Sequence, residues 1–213
     1  MKDLIIVGAG GFGRETKVLV DEINEAEPTW NFLGYVDDNP NVETKEGDII
    51  LGTSDYVLGL DPKPYVIIPI ANARVRMALA EKFEKGSVPF ATLIHPNVKM
   101  KGDLCTVGEG SILCDGVKLA VNSHVGKHCI LNMDCGLGHD TVMDDFSSMM
   151  SQTITGGETY IGKGCYFGLR CTVINLLNIT DFCTFGAGAV VVKNATEPGT
   201  YVGVPARLIK PLV

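Results

Sequence analysis

No cluster of lysine and arginine occurs anywhere in the sequence: 18 basic residues are scattered among 25 acidic ones, for a formal net charge of −7. A nucleic-acid binder needs a basic face that displaces counterions from phosphates, so no nucleic-acid partner is expected. Long apolar runs are also missing. The longest, such as 66–70, fall far short of the roughly 20 residues that a bilayer span needs, and the first residues lack the layout of a secretory signal. The expectation is a soluble, cytoplasmic protein with no membrane span. The seven cysteines include no C-x-x-C pair and are odd in number, which argues against a disulfide framework and a zinc knuckle alike. No metal is expected.

Glycine, in contrast, is abundant, at 25 of 213 residues against an average near 7%. The chain therefore turns often or packs backbone closely. The length suits one large domain or two small ones, at roughly 100 to 200 residues each.

A repeat organises the second half. From Val107 in steps of six the sequence reads Val107, Leu113, Leu119, Val125, Leu131, Leu137, Met143, Met149, Thr155, Ile161, Phe167, Val173, Ile179, Phe185 and Val191, with fourteen of fifteen apolar. Neither a helical period nor strand alternation gives such a column, so the unit is a short strand plus a turn. Two residues before each of these lies a second column that is almost entirely small, and it holds six of the seven cysteines; Cys114 alone falls outside. These thiols read as small hydrophobes filling a tight interior. Glycine follows the large apolar residue at 108, 126, 138, 156, 162, 168 and 186, as expected for a corner that needs positive φ. Three hexads close one triangular coil, and fifteen make five stacked coils of parallel β-helix. The unbroken phase leaves no coil with a long lid loop of its own.

The first half reads as α/β. Strand 3–7 runs into the glycine loop Gly8-Ala-Gly-Gly-Phe-Gly13, and a helix extends from Arg14 to about Glu25, the strand-loop-helix opening of a nucleotide-binding unit. A second strand, 32–36, ends at Asp37-Asp38-Asn39, whose carboxylates suit sugar hydroxyls. A third, 65–70, precedes Asn72 as the cap of a helix to about Lys85. Three such units in about 90 residues are too few for a complete dinucleotide domain, and a mononucleotide attached to another group fits better. The expected domains are 1–90, a small Rossmann-like nucleotide-sugar-binding domain, and 91–213, the β-helix with a C-terminal tail. His95, before Pro96, is expected to hold the junction.

Val125-Gly126, Ile161-Gly162 and Phe185-Gly186 resemble the hexapeptide-repeat acyltransferases, which implies a left-handed β-helix. Gly8 to Gly13, Gly34-Tyr-Val-Asp-Asp38, Thr92-Leu-Ile-His-Pro96, Ile130-Leu-Asn132, Gly138-His-Asp140 and Val202-Gly-Val-Pro-Ala-Arg207 together resemble the bacterial sugar acyltransferases that include sialic acid O-acetyltransferase and the UDP-4-amino-sugar N-acetyltransferases. The resemblance implies a homotrimer and acetyl-CoA in the groove between neighbouring coils. A nucleotide-sugar would sit on Gly8, Gly10, Gly11, Phe12, Gly13, Asp37 and Asp38 of the first domain. The implied activity is acetylation of an amino group of a nucleotide-linked sugar for surface glycan biosynthesis. O-acetylation of the sialic acid type, or a non-catalytic β-helical binding protein, are the alternatives.

Acetyl transfer from a thioester needs a base that works near neutral pH, and histidine suits it. His124 and His128 flank the Val125-Gly126 corner with no acid beside them and are expected at the surface. His139 is followed by Asp140 and matches the family's His-acid pair, so His139 is the expected general base and Asp140 its orienting partner. Adjacent residues on a regular strand point to opposite faces, so the pair requires a corner. Asn132 matches an acceptor-side asparagine in relatives, and equally fits an internal asparagine ladder. The resemblance places Gly157 and the Ala187 amide against the pantetheine arm. Arg207 and Lys210 could meet the 3′-phosphate of CoA or form a plain basic terminus. Ser148 and Phe12 stand where many relatives carry histidine, which leaves acceptor identity open. An NAD-linked oxidoreductase would need a larger first domain, and a pure scaffold solenoid a flat, regular outer face.

Overall fold

The computed structural model describes residues 1–42, 45, 47 and 49–212. The chain divides into two compact units, Met1–Pro96 and Asn97–Val213. Residues 90 and 91 are tied to the first by an isolated bridge between Val66 and Phe90 and by Ala91 N donating to Val66 O.

The first unit is a parallel sheet with helices. In chain order it comprises β1 (Lys2–Val7), α1 (Gly11–Ala26), β2 (Trp30–Val36), β3 (Ile50–Gly52), α2 (Ser54–Gly59), β4 (Tyr65–Ile67) and α3 (Ala73–Lys85). The sheet order is β3-β2-β1-β4. Leu4, Ile5 and Ile6 of β1 are wholly buried, as a central parallel strand covered on both faces requires. Sequence periodicity finds β1, β2 and α3 but overlooks β3 and α2, which are too short to show a period. The third strand stops at Ile67, ahead of Pro69, which has no amide to give a ladder. Asn72 caps α3 as expected, its Oδ1 accepting from the amides of Arg74 and Val75.

The glycine loop differs from expectation. Only Gly8 has positive φ, at 108°, and α1 already begins at Gly11. Gly13 is a packing glycine: a Cβ there would overlap the carbonyl oxygen of Gly8 and lie 3.0 Å from its carbon. It lets the helix press onto the end of β1.

The second unit is a left-handed parallel β-helix. Two-residue strands recur every six residues and form three faces. The first face contains 106–107, 124–125, 142–143, 160–161 and 178–179; the second runs from 99–100 through 118–119, 136–137, 154–155 and 172–173 to 190–191. The third carries 112–113, 130–131, 148–149, 166–167 and 184–185, then Gly199–Val202 and, antiparallel to it, Arg207–Pro211. Neighbouring strands pair eighteen residues apart, as in His124 with Val142. From Leu113 to Val191 every residue of the large column is at most 3% exposed, and burial of each such side chain stabilises by about 1.5–3 kcal/mol.

From Ser111 on the small column is buried as expected, with Cys105 half-buried at its start, and its hydroxyls are satisfied. Ser111 Oγ donates to Gly126 O at 2.8 Å, Ser123 Oγ to Gly138 O at 3.0 Å and Ser147 Oγ to Gly162 O at 2.8 Å. The cysteines form no disulfide, and burial pushes the thiols of Cys135 and Cys171 up to about 12.

One expectation is corrected here. The glycines that follow the large column do not adopt positive φ. The left-handed position comes two residues later, at Gly110, Gly116, Asn122, His128, Asp134, Asp140 and onward to Gly188. From His128 onward its amide reaches back to the preceding coil, as His128 N does to Glu109 O and Asp140 N to Val121 O, both at 2.9 Å. The earlier glycines serve close approach instead. A Cβ at Gly108 would come within 2.7 Å of the Gly126 carbonyl oxygen, and one at Gly138 within 2.7 Å of that of Gly156.

Candidate active site

The β-helix places His139 and Asp140 at the corner that leads from the second face to the first. Asp140 has φ 56°, and this left-handed turn removes the strand objection: both side chains emerge together. His139 Nδ1 lies 2.8 Å from Asp140 Oδ2. The other carboxylate oxygen, Oδ1, accepts from Asn122 Nδ2 at 2.9 Å. Asn122 and, after it, the His139 hydrogen bond hold the Asp140 carboxyl below its usual range, because donors on a carboxylate favour its charged form. With the carboxylate on Nδ1, that nitrogen carries the proton and Nε2 presents its lone pair. The ring is exposed, and Gly157 one coil on lies against it. A groove of about 290 Å³ on the second face is lined by Lys118, Leu119, Gly136, Leu137, Gly138 and Ile154, and its wall ends one residue before His139.

The other histidines separate clearly from this one. His128 is buried rather than exposed, and stacks on Phe146 with centroids 4.8 Å apart. It fits because Gly110, one coil earlier, has no side chain to displace it. His124 Nδ1 is 2.9 Å from Thr106 Oγ1. His95 is buried with Nε2 3.3 Å from Glu22 Oε2, a structural setting within the first unit.

Asn132, Gly157 and Ala187 do not share one corner. Gly157 belongs to the His139 column, whereas Asn132 and Ala187 lie at the turns between the third and second faces. Asn132 is buried, and its Oδ1 accepts from Met133 N at 2.7 Å and Ser151 Oγ at 3.1 Å. Ser148 is buried. Arg207 and Lys210 stand exposed on the closing strand, where Arg207 Nη1 donates to Ala206 O.

The first unit holds a cavity of about 720 Å³, within the roughly 300–1,000 Å³ of small-molecule sites. Gly8, Gly10, Phe12, Gly13, Asp37 and Asp38 line it, opposite an apolar wall from α3 made by Val75, Ala78 and Leu79. Helix α1 points its N-terminus here with no side-chain cap, which suits an anionic group. Gly10 and Gly11 leave open space where a Cβ would be. Asp37 and Asp38 are already engaged: Asp37 Oδ2 accepts from Ala9 N, and Asp38 binds both the amide and the hydroxyl of Ser54. Their first role is to shape the cavity. Sequence reading missed Ser54, the α3 wall, and Lys82, which lines the cavity and donates to Ser54 Oγ at 2.6 Å. It missed Asn122 as well, although the eighteen-residue spacing to Asp140 was there to be read.

Among the described residues no helix is long and apolar enough to cross a membrane, and no group of three or more His, Cys, Asp or Glu is placed to hold a metal.

The fold is a Rossmann-like unit followed by a hexapeptide-repeat β-helix, with the His139-Asp140 pair at one of its corners. Residues 3–83 match the PglD N-terminal domain. Beyond that domain the chain is a homologue of GDP-perosamine N-acetyltransferase. It is 29% identical to the Escherichia coli O157:H7 enzyme of that name over 164 residues, 76% of this chain and 74% of the relative. WeeI from Acinetobacter baumannii AYE superposes with a TM-score of 0.85 at 28% identity, covering 98% of this chain and all of that one. Perosamine N-acetyltransferase from Caulobacter crescentus, solved as a histidine-to-asparagine variant with CoA and GDP-perosamine, has the same fold. Its TM-score is 0.87 at 22% identity, covering 98% of this chain and 97% of that one.

Proposed function

We propose that the protein is an acetyl-CoA-dependent N-acetyltransferase acting on an amino group of a nucleotide-linked sugar. The observation that carries the reading is the hydrogen bond of 2.8 Å between His139 Nδ1 and Asp140 Oδ2, which leaves Nε2 exposed as a proton acceptor. The E. coli relative is named for this transfer to GDP-perosamine, and the Caulobacter protein was solved with CoA and that sugar nucleotide.

The residues divide the work. The amine attacks the thioester carbonyl while His139 Nε2 takes its proton. A corner amide stabilises the oxyanion; the C–S bond then breaks, and the proton passes to the departing thiolate. Asp140 keeps the ring oriented and stabilises the imidazolium as it forms. Gly157 and the Ala187 amide line the pantetheine path, and Arg207 and Lys210 meet the 3′-phosphate. In the first unit, the open N-terminus of α1 takes the diphosphate and the α3 wall the base, with Phe12 against an apolar ring face and Asp37 and Asp38 framing the sugar hydroxyls. Asn132 faces the acceptor.

His139 and Asn132 stand at different corners of one prism, so a site that uses both is assembled from two copies. This supports a homotrimer, working in the cytoplasm where acetyl-CoA is made available. The test is His139→Ala. General-base catalysis typically contributes 10² to 10⁴, so turnover falls by at least about a hundredfold; a residual rate above about a tenth of wild type overturns the assignment.

A further inference from the structure

We propose that Asn122 is a positioning residue for the acetyl transfer, holding the Asp140 carboxylate in the orientation that serves His139. The inference rests on the reading of His139 as the base.

Asn122 and Asp140 occupy the same corner of successive coils, both in the left-handed region, at φ 58° and 56°. Eighteen residues of separation stack them, so the amide of one reaches the carboxylate of the next at 2.9 Å. Asp140 is half exposed, and packing alone does not fix its rotamer. A carboxylate bound to the imidazole through one oxygen is free to swing about its χ angles. A second donor on the other oxygen removes that freedom, and the two bonds together define the carboxylate plane: Asn122 Nδ2 to Oδ1 and His139 Nδ1 to Oδ2. Asn122 is also the largest contributor to keeping this carboxyl below its usual range. The charge is therefore present and aimed when Nε2 accepts its proton. The backbone alone does not account for an asparagine here, since glycine meets the same φ at Gly110 and Gly116.

Asn122→Gly separates the two roles, because glycine accepts the left-handed conformation without strain and deletes only the amide. The expected result is a drop in kcat of about tenfold, the low end for removing a partner that orients a functional group. KM for acetyl-CoA and for the sugar nucleotide stays within about twofold, with an unchanged melting temperature. In an Asp140→Ala background, Asn122→Gly costs nothing further, since its effect travels through Asp140. A kcat within twofold of wild type, or an equal loss in the Asp140→Ala background, overturns the proposal. His139→Ala is assayed beside them. If it keeps more than a tenth of the rate, the base reading falls and this inference with it; an inactive His139→Ala beside a fully active Asn122→Gly overturns this inference alone.

Discussion

Gly157 lies flat against the imidazole of His139, so close that a methyl group at 157 would stand 2.5 Å from Nε2 and 2.6 Å from Cε1. The obstructed atoms are the far end of an exposed side chain, free to rotate outward. Gly157→Ala therefore spares the fold and displaces the imidazole proposed as the base. A misplacement near 1 Å at a catalytic group can cost about 10² in rate, and kcat is expected to fall tenfold or more while the melting temperature moves by less than about 2 °C. Full activity in steady-state assays would remove Gly157 from the site.

Gly138 gives the opposite outcome from a similar clash. A Cβ there meets backbone, within 2.7 Å of the Gly156 carbonyl oxygen and closer still to Gly156 C and Gly157 N. Backbone of the next coil has no rotamer to escape into. Gly138→Ala is expected to lower the urea midpoint by the equivalent of about 1–3 kcal/mol, as overpacked sites do. An unchanged midpoint would mean that the coils can separate at this corner.

These two glycines mark what the sequence could and could not convey. The period of six exposes both columns, because inward residues stack directly and each must be apolar or small. It does not distinguish the turn's left-handed residue from the glycine two positions before it: ten of the described left-handed corner positions from Asn122 to Phe182 carry residues other than glycine, and nine of them, from His128 on, donate their amide to the coil before. His128 misled for a related reason. Its burial depends on Gly110 and Phe146 at the neighbouring rungs, a vertical relationship that the local context hides. In the first unit, β3 and α2 are too short for periodicity, so Ser54, which anchors Asp38 behind the cavity wall, was illegible while the glycine rim was plain. His139 and Asp140 were found by resemblance, and only the corner geometry explains how neighbours in sequence face the same way.

The buried thiols set an alkaline limit on stability. Cys135 and Cys171 ionise near 9.0 when unperturbed and are pushed up to about 12 by burial. Between these values the unfolded chain has lost protons that the folded chain keeps. Their contribution is complete below pH 9 and is lost as pH rises towards 12, by up to about 1.4 kcal/mol per pH unit for each thiol. Melting followed by circular dichroism should fall more steeply above pH 9 in wild type than in Cys171→Ala, measured as slopes. Equal slopes would show that this thiol does not couple to folding.

The N-terminus of α1 gives a last contrast, between Gly10 and Gly13. A Cβ at Gly10 meets nothing within 4 Å, whereas one at Gly13 overlaps the carbonyl oxygen of Gly8. Gly10 lines the cavity, so the space beside it is available to a ligand and not to the fold. Gly10→Ala should leave the melting temperature unchanged, raise KM for the sugar nucleotide several-fold and leave KM for acetyl-CoA as it was. Gly13→Ala should instead destabilise the protein before any ligand is added. Heat stabilisation by nucleoside diphosphates reports the difference directly, since a ligand at 100 times its Kd adds about 2.7 kcal/mol. Stabilisation of Gly10→Ala equal to that of wild type would mean that the diphosphate lies elsewhere than at the mouth of α1.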